Sequence, residues 1–386
     1  SAVRCRSYDQ NEVVAAVRRA TESLGGIESY ICPGSRVLVK PNLLQGLPPE
    51  RCVTTHPSVV GAVCTLLLEL GCRVVIADSP GGGIRHTPAN LRSLYLSAGY
   101  DTVAEETGAE LNYDTSFSDH PFPEGRYVKR FPVISPLKDC DHIVVVSKAK
   151  THLWTLFSGG AKNLFGVIPG FEKPIHHARF QDPVHFGGMI ADLNEALMPS
   201  LQIMDGVIAM EGDGPSSGTP RPLGFILASP DWTAIDTIAC RMIGIPPLDV
   251  PTIKAAMDRG LIRNYQTDIL LTGDESGFPA VHGFRLPSTY RGEGKGVRKS
   301  LLLSTLHNLG KFYALYPALS RSRCEQCGRC AVICPVKAIS FQSKIPDINR
   351  NICIRCYCCH EICPVGAIQL KPGIARQIIG RVAGRL

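Results

Sequence analysis

Two cysteine runs near the C-terminus constrain this chain more than any other feature. They are Cys324-Glu-Gln-Cys327-Gly-Arg-Cys330-Ala-Val-Ile-Cys334-Pro335 and Cys353-Ile-Arg-Cys356-Tyr-Cys-Cys359-His-Glu-Ile-Cys363-Pro364. Each has the C-x2-C-x2-C-x3-C-P spacing of bacterial ferredoxins, in which the fourth cysteine of one run ligates the cluster of the other. The spacing predicts two [4Fe-4S] clusters, one on Cys324, Cys327, Cys330 and Cys363, the other on Cys353, Cys356, Cys359 and Cys334. Two-residue gaps let a tight loop wrap three corners of a cubane while the fourth thiolate arrives from a distant segment. Pro335 and Pro364 then turn the chain, since proline fixes φ and lacks an N–H. Val336-Lys-Ala-Ile339 and Val365-Gly-Ala-Ile368 repeat one apolar pattern, so the segment is an internal duplication. Zinc sites favour paired CxxC units with longer spacers, and disulfides belong to oxidising compartments. Cys358, the extra cysteine, reads as a bystander beside a cluster.

Nine of the sixteen cysteines fall in the last 63 residues, and the others show no pairing pattern. With no signal-peptide pattern at the N-terminus, this points to a reducing compartment, and we expect the cytoplasm of an anaerobe or facultative anaerobe. The apolar-rich stretch Leu301 to Leu319 is interrupted by Ser304, Thr305, His307, Asn308 and Lys311, too polar for a membrane span. The formal net charge is +7, but two oxidised clusters on thiolates would cancel roughly four of those charges. Arg321, Arg323, Arg329, Lys337, Lys344, Arg350, Arg355 and Lys371 surround the motifs. They either compensate anionic clusters or attract an acidic electron donor such as ferredoxin or flavodoxin. No nucleic-acid-binding motif is present.

Upstream, strand-like and helix-like segments alternate. Strands are expected at 36–40, 73–78, 142–147, 202–205 and 223–228. Helices are expected at 57–70, 91–98, 101–107, 186–197 and 234–243. This alternation predicts an α/β fold, a mainly parallel doubly wound sheet, followed by an α+β ferredoxin-like domain. The expected organisation is an α/β substrate-binding domain over 1–295, a helical connector over 296–319, the two-cluster domain over 320–371 and a basic tail helix over 372–386.

Ligands of such sheets sit at the C-terminal ends of strands. Lys40 and Asn42 fall there, as do Asp78 with the loop Gly81-Gly-Gly83, then Lys148, Lys150 and His152, and finally Asp205, Glu211 and Asp213. Lys162 and Asn163 follow within a few residues, and the loop holding Gly159 and Gly160 can offer backbone N–H groups to an anion. The expected substrate site is Lys40, Asn42, Lys148, Lys150, Gly159, Gly160, Asn163 and Asp213. Lys162, His152, His176 and His177 are the candidate catalytic groups, because histidine is poised near neutral pH. No HxH or HxxxH spacing favours a mononuclear metal. Neither a dinucleotide fingerprint nor a Walker A loop occurs. No pattern indicates a flavin, although many flavin sites carry no short signature.

Lys40-Pro-Asn42, Thr55-His-Pro57, Asp78-Ser-Pro-Gly-Gly, Lys148-Ala-Lys-Thr-His152, Gly159-Gly-Ala-Lys-Asn-Leu-Phe-Gly166 and Asp205-Gly206 together resemble the domain of unknown function family 362. The resemblance covers roughly residues 30–245. It implies an α/β domain with a polar cleft and, with the appended ferredoxin unit, electron transfer. Taken together, these features lead us to expect a reductase. It would pass low-potential electrons from a ferredoxin-like donor through two clusters to a small carboxylate or phosphate, reducing a C=C or C=O bond. The alternatives are a non-enzymatic electron-transfer or maturation protein with the α/β domain as docking platform, and a protein that uses its clusters as structural staples.

Overall fold

The computed structural model describes residues 1–81, 83–274, 281–290, 315–341 and 345–372. Apolar strands buried on both faces build its centre, as parallel ladders require. The strands of the large unit are β1 Ala2–Arg4, β2 Arg36–Pro41, β3 Arg73–Ile76, β4 Glu110–Leu111, β5 Phe117–Pro121, β6 Arg130–Ile134, β7 His142–His152, β8 Leu156–Ser158, β9 Leu201–Glu211 and β10 Thr219–Ser229. The main sheet runs β1-β10-β9-β7-β2-β3-β4, with β8 folded onto β7. From β9 to β4 its ladders are parallel. At the other end β1 and β10 pair antiparallel, as β8 does with β7, so the sheet is mixed and parallel from β9 to the β4 edge.

Helices cover both faces. Val37, Val39, Val144, Val146 and Ile203 point one way, into a core shared with α1 (Gln10–Glu22), α2 (Pro57–Glu69), α3 (Pro88–Ala98) and α4 (Tyr100–Thr107). Leu38, Val145 and Met204 point the other way, toward α5 (Gly160–Asn163), α6 (Glu172–Arg179), α7 (Pro183–Leu197), α8 (Trp232–Met242) and α9 (Pro251–Asp258). Local sequence sets the helix starts. His56 accepts from the Ser58 N–H ahead of Pro57, Asp182 caps Val184 and His185, and Asp231 caps Thr233, each satisfying orphan N–H donors of a first turn. No helix among the described residues is long and apolar enough to cross a membrane.

The C-terminal unit pairs β11 (Leu315–Leu319) with β14 (Ile368–Pro372) and β12 (Ile339–Ser340) with β13 (Asp347–Ile348), all antiparallel. The expected connector helix over 296–319 is therefore corrected at its end. Leu315–Leu319 is a strand, because the strand after the second cysteine run needs a backbone partner. Residues 296–314 and the expected tail helix beyond Pro372 lie outside the described residues, as does Lys344.

Lys148, expected in the substrate site, instead locks the N-terminal segment to the sheet. Its Nζ lies 2.7 Å from Asp205 Oδ2 and donates to the Tyr8 hydroxyl at 2.7 Å, while Tyr8 donates to Asp205 Oδ1 at 2.9 Å. Both charged side chains are 0% exposed. Removing one partner of a buried pair strands the other charge and costs about 3–5 kcal/mol. Asp205→Ala is therefore expected to lower the urea-unfolding free energy by about 3–5 kcal/mol; a loss under about 1 kcal/mol would contradict this reading of the network.

Candidate functional site

The two cysteine runs close around two separate cavities. Cys324, Cys327, Cys330 and Cys363 line one, and Cys334, Cys353, Cys356 and Cys359 line the other. The first set draws three cysteines from one run and one from its sister; the second does the same, with Cys358, which stands outside the repeated spacing, as a fifth cysteine on that cavity. The halves share backbone detail: Gln326 and Arg355 take φ of 58° and 57°, and Lys337 and Gly366 take 52° and 60°. Ala338 and Ala367 each donate a backbone N–H to a cysteine sulfur, Cys334 and Cys363, at 3.1 Å. Gly328 turns through the left-handed region at 73°, and its counterpart Tyr357 does so at 61°, a conformation that glycine tolerates without cost. None of the sixteen cysteines is in a disulfide. Among the described residues no three His, Cys, Asp or Glu are close enough to hold a single metal ion. Four converging cysteines per set and the sulfur-directed N–H groups fit thiolate ligation of an iron–sulfur cluster.

A third cavity, about 700 Å³ with its open mouth, lies between the sheet's C-terminal rim and the cysteine unit. Strand ends and two helices fill its wall with amines: Lys40 from β2, Lys150 from β7, Lys162 from α5 and Lys173 from α6. Lys40 Nζ is 2.9 Å from Asp78 Oδ1, and Lys150 donates to Asn42 Oδ1 at 3.0 Å and to the Val53 carbonyl at 2.7 Å. Lys173 donates to the carbonyls of Ser79 and Pro80, both at 2.8 Å. Lys162 Nζ has no hydrogen bond or ion pair among the described residues. At Gly166 a Cβ would collide with Asp78 and Lys40, so glycine is required where the chain crosses this pair. From the cysteine unit come Ile333, Cys358, Glu361 and Ile362. Two side chains of the α/β unit, Gln45 and Ser216, donate to the Glu361 carbonyl, the second at 2.7 Å. Cys358 lines this cavity and also the one formed by Cys334, Cys353, Cys356 and Cys359.

The domain of unknown function family DUF362 matches residues 37–241, and a 4Fe-4S dicluster domain matches residues 323–367. The chain belongs to that family. It is 34% identical over 264 residues to the thylakoid-associated protein sll1697 of Synechocystis sp., covering 68% of this chain and 79% of that protein. The lactate racemase apoprotein of Thermoanaerobacterium thermosaccharolyticum aligns over 63% of this chain and 56% of its own, with 14% identity and a TM-score of 0.42.

Several expected site residues of the family 362 unit lie elsewhere. Gly159 and Gly160 do not offer their loop to a ligand. The Asp236 carboxylate already takes the N–H of Gly160 at 2.6 Å and of Ala161 at 3.2 Å, and burial pushes its pKa up to about 7. Asp213 sits on an outer groove, accepting from the backbone N–H of Ser288 at 2.7 Å and from its hydroxyl at 3.1 Å. His176 is packed among Phe131, Phe165 and Phe180. His152 lies behind the cavity. Its Nδ1 accepts from the Trp154 N–H at 3.0 Å, which assigns the proton to Nε2, 3.3 Å from Glu361 Oε1. Lys40, Asn42, Lys150, Lys162, Asn163 and His177 do come together around the cavity. The sequence reading missed Lys173 and Glu361 and took Cys358 for a bystander. The doubled cysteine beside a complete ligand run was the available signal for Cys358, whereas nothing local marks Lys173.

Burial lowers the pKa of all four lysines. Lys173 falls to about 7 with Asp78 opposing the shift, and Lys150 is held well below its ordinary value by burial and then by Lys162. Burial likewise lowers Lys40 and Lys162, opposed by Asp78 and Glu361 respectively. Lys162 is only partly buried and makes no hydrogen bond among the described residues, so losing its amine breaks no internal interaction. Lys162→Met is thus expected to change the unfolding free energy by no more than about 1 kcal/mol, whereas Lys40→Met, which strands Asp78, costs about 3–5 kcal/mol. Chemical denaturation of the two variants checks this, and equal losses would contradict it.

Proposed function

We propose that this chain is an iron–sulfur reductase whose lysine cavity holds a small anionic substrate. The observation that carries the reading is Cys358, which borders both that cavity and the one ringed by Cys334, Cys353, Cys356 and Cys359. Two [4Fe-4S] clusters on the two cysteine sets would supply electrons one at a time. Cys327 is exposed while Cys356 and Cys359 are buried, which favours the first set as the outer one and the second as the inner one. Exposed Arg321, Arg323 and Arg329 beside the first run favour an acidic one-electron donor of ferredoxin or flavodoxin type. Two electrons from that donor and two protons would convert a C=C bond to CH–CH, or a C=O bond to CH–OH.

The chain's own residues supply the rest. Lys40, Lys150 and Lys173 are fixed by internal acceptors and would orient the anion with little reorganisation. Lys162 is spare, and its Nζ can donate a hydrogen bond or a proton to the substrate. His177 lines the same wall, and burial and Lys162 hold its pKa well down, so it would serve as a neutral hydrogen-bonding group. Leu44, Phe165, Pro174 and Ile362 exclude water around these groups.

Anaerobically purified protein is expected to carry about eight irons, as is Cys358→Ser, while Cys356→Ser retains about four. In stopped-flow reoxidation of the reduced protein by its substrate, Lys162→Ala is expected to slow the reaction at least about tenfold. Loss of iron in Cys358→Ser, or unchanged reoxidation in Lys162→Ala, would contradict the assignment.

A further inference from the structure

A wider groove, about 1050 Å³ with its open side, runs along the joint between the α/β unit and the cysteine unit. The α/β unit supplies Leu47 and Arg51 from the segment after β2, and the cysteine unit supplies Arg323, Cys363, Val365 and Leu370. Cys363 and Val365 also line the cavity of the first cysteine set, so groove and cavity share a wall. Leu47, Val365 and Leu370 make the middle of the groove apolar. Arg51 and Arg323 are exposed, and neither guanidinium has a hydrogen bond or ion pair among the described residues. The carboxylate on this surface, Asp213, is already held by the N–H and the hydroxyl of Ser288.

We propose that this groove is the docking surface for an acidic one-electron carrier protein, whose carboxylates face Arg51 and Arg323 while its redox centre approaches Cys363. The inference rests on reading the chain as a reductase fed by such a donor, and it names the surface that receives the donor. An apolar middle with a charged rim is the layout of a protein interface. One electron passes from the carrier to the outer cluster, and no bond forms or breaks.

The outer cluster with its thiolates is anionic and would by itself repel an acidic partner. Arg323 stands next to Cys324 and balances part of that charge. Arg51 belongs to the other unit and to no cysteine run, so its charge is left for the partner. Opposite charges set across such a rim speed encounter and fix orientation, and added salt screens them.

The test is isothermal titration of the anaerobic, oxidised holoprotein with two oxidised probes, a small ferredoxin of strongly negative net charge and a cytochrome c of positive net charge. At low ionic strength the ferredoxin is expected to bind and the cytochrome is not, and ferredoxin affinity should fall as salt is added. Arg51→Glu and Arg323→Glu are each expected to weaken ferredoxin binding at least about tenfold. Arg73→Glu, at the N-terminal end of β3 and away from this rim, should leave it within about twofold. All three residues are exposed, so the variants keep the fold. Unchanged ferredoxin affinity in Arg51→Glu overturns the proposal, because Arg323 then serves only the cluster. An equal loss in Arg73→Glu, or cytochrome binding as tight as ferredoxin, overturns it as well. If ferredoxin docks as expected but no substrate reoxidises the reduced protein, the reductase reading fails and the docking surface stands. If a substrate is reduced with electrons from a small dye while ferredoxin does not bind, the surface falls and the reductase reading stands.

Discussion

Four lysine amines gathered around one cavity, those of Lys40, Lys150 and Lys173 on buried residues, are the constraint on which the rest of the site depends. Moving a single ammonium out of water costs several kcal/mol unless partners replace the lost hydration. The chain supplies those partners unevenly. Lys40 receives a carboxylate, Lys150 and Lys173 receive mostly carbonyl oxygens, and Lys162 receives no hydrogen bond among the described residues. A fold selected only for stability would have replaced Lys162 by an apolar side chain. Its retention in a cavity walled by Phe165 and Ile362 makes sense when a bound anion completes the charge balance.

The cysteine unit is part of this site as well as its neighbour. Its short helix Cys358–Glu361 presents a thiol and a carboxylate to the cavity, and the Glu361 carbonyl is gripped by Gln45 and Ser216 of the α/β unit. At Gly83 a Cβ would press on Ile333 and Ile362, so that glycine lets the loop after β3 lie directly on the cysteine unit. Two polar grips and a close apolar contact hold the second cysteine set against the lysines. An electron carrier needs no such joint, since it must expose its clusters to exchange partners.

The parts of this arrangement that are periodic or motif-bound were legible in the sequence. The cysteine spacing separated the two sets that line the two cavities. The strands expected at 36–40 and 142–147 from unbroken apolar runs lie within Arg36–Pro41 and His142–His152, the second running five residues further through the polar stretch, and Lys40, Asn42, Lys150, Lys162 and Asn163 were singled out as lying at strand ends or just beyond. Failures came where a long-range partner decided the outcome. The Gly159-Gly160 loop looked ready for an anion, but Asp236, far along the chain, supplies one from within. Lys148 and Lys150 looked equivalent, yet the ladder shifts register between them, and Lys148 goes to Asp205. Lys173 is buried only because the loop after β3 covers it, and Leu315–Leu319 became a strand because β14 required a partner.

The most direct test of the account is an EPR-monitored redox titration of wild-type protein and Lys162→Met. If the lysine cavity adjoins the second cysteine set, losing that cation should lower the reduction potential of one cluster and leave the other unchanged. Equal shifts in both potentials, or no shift in either, would contradict the claim that the cavity and the inner cluster form one site.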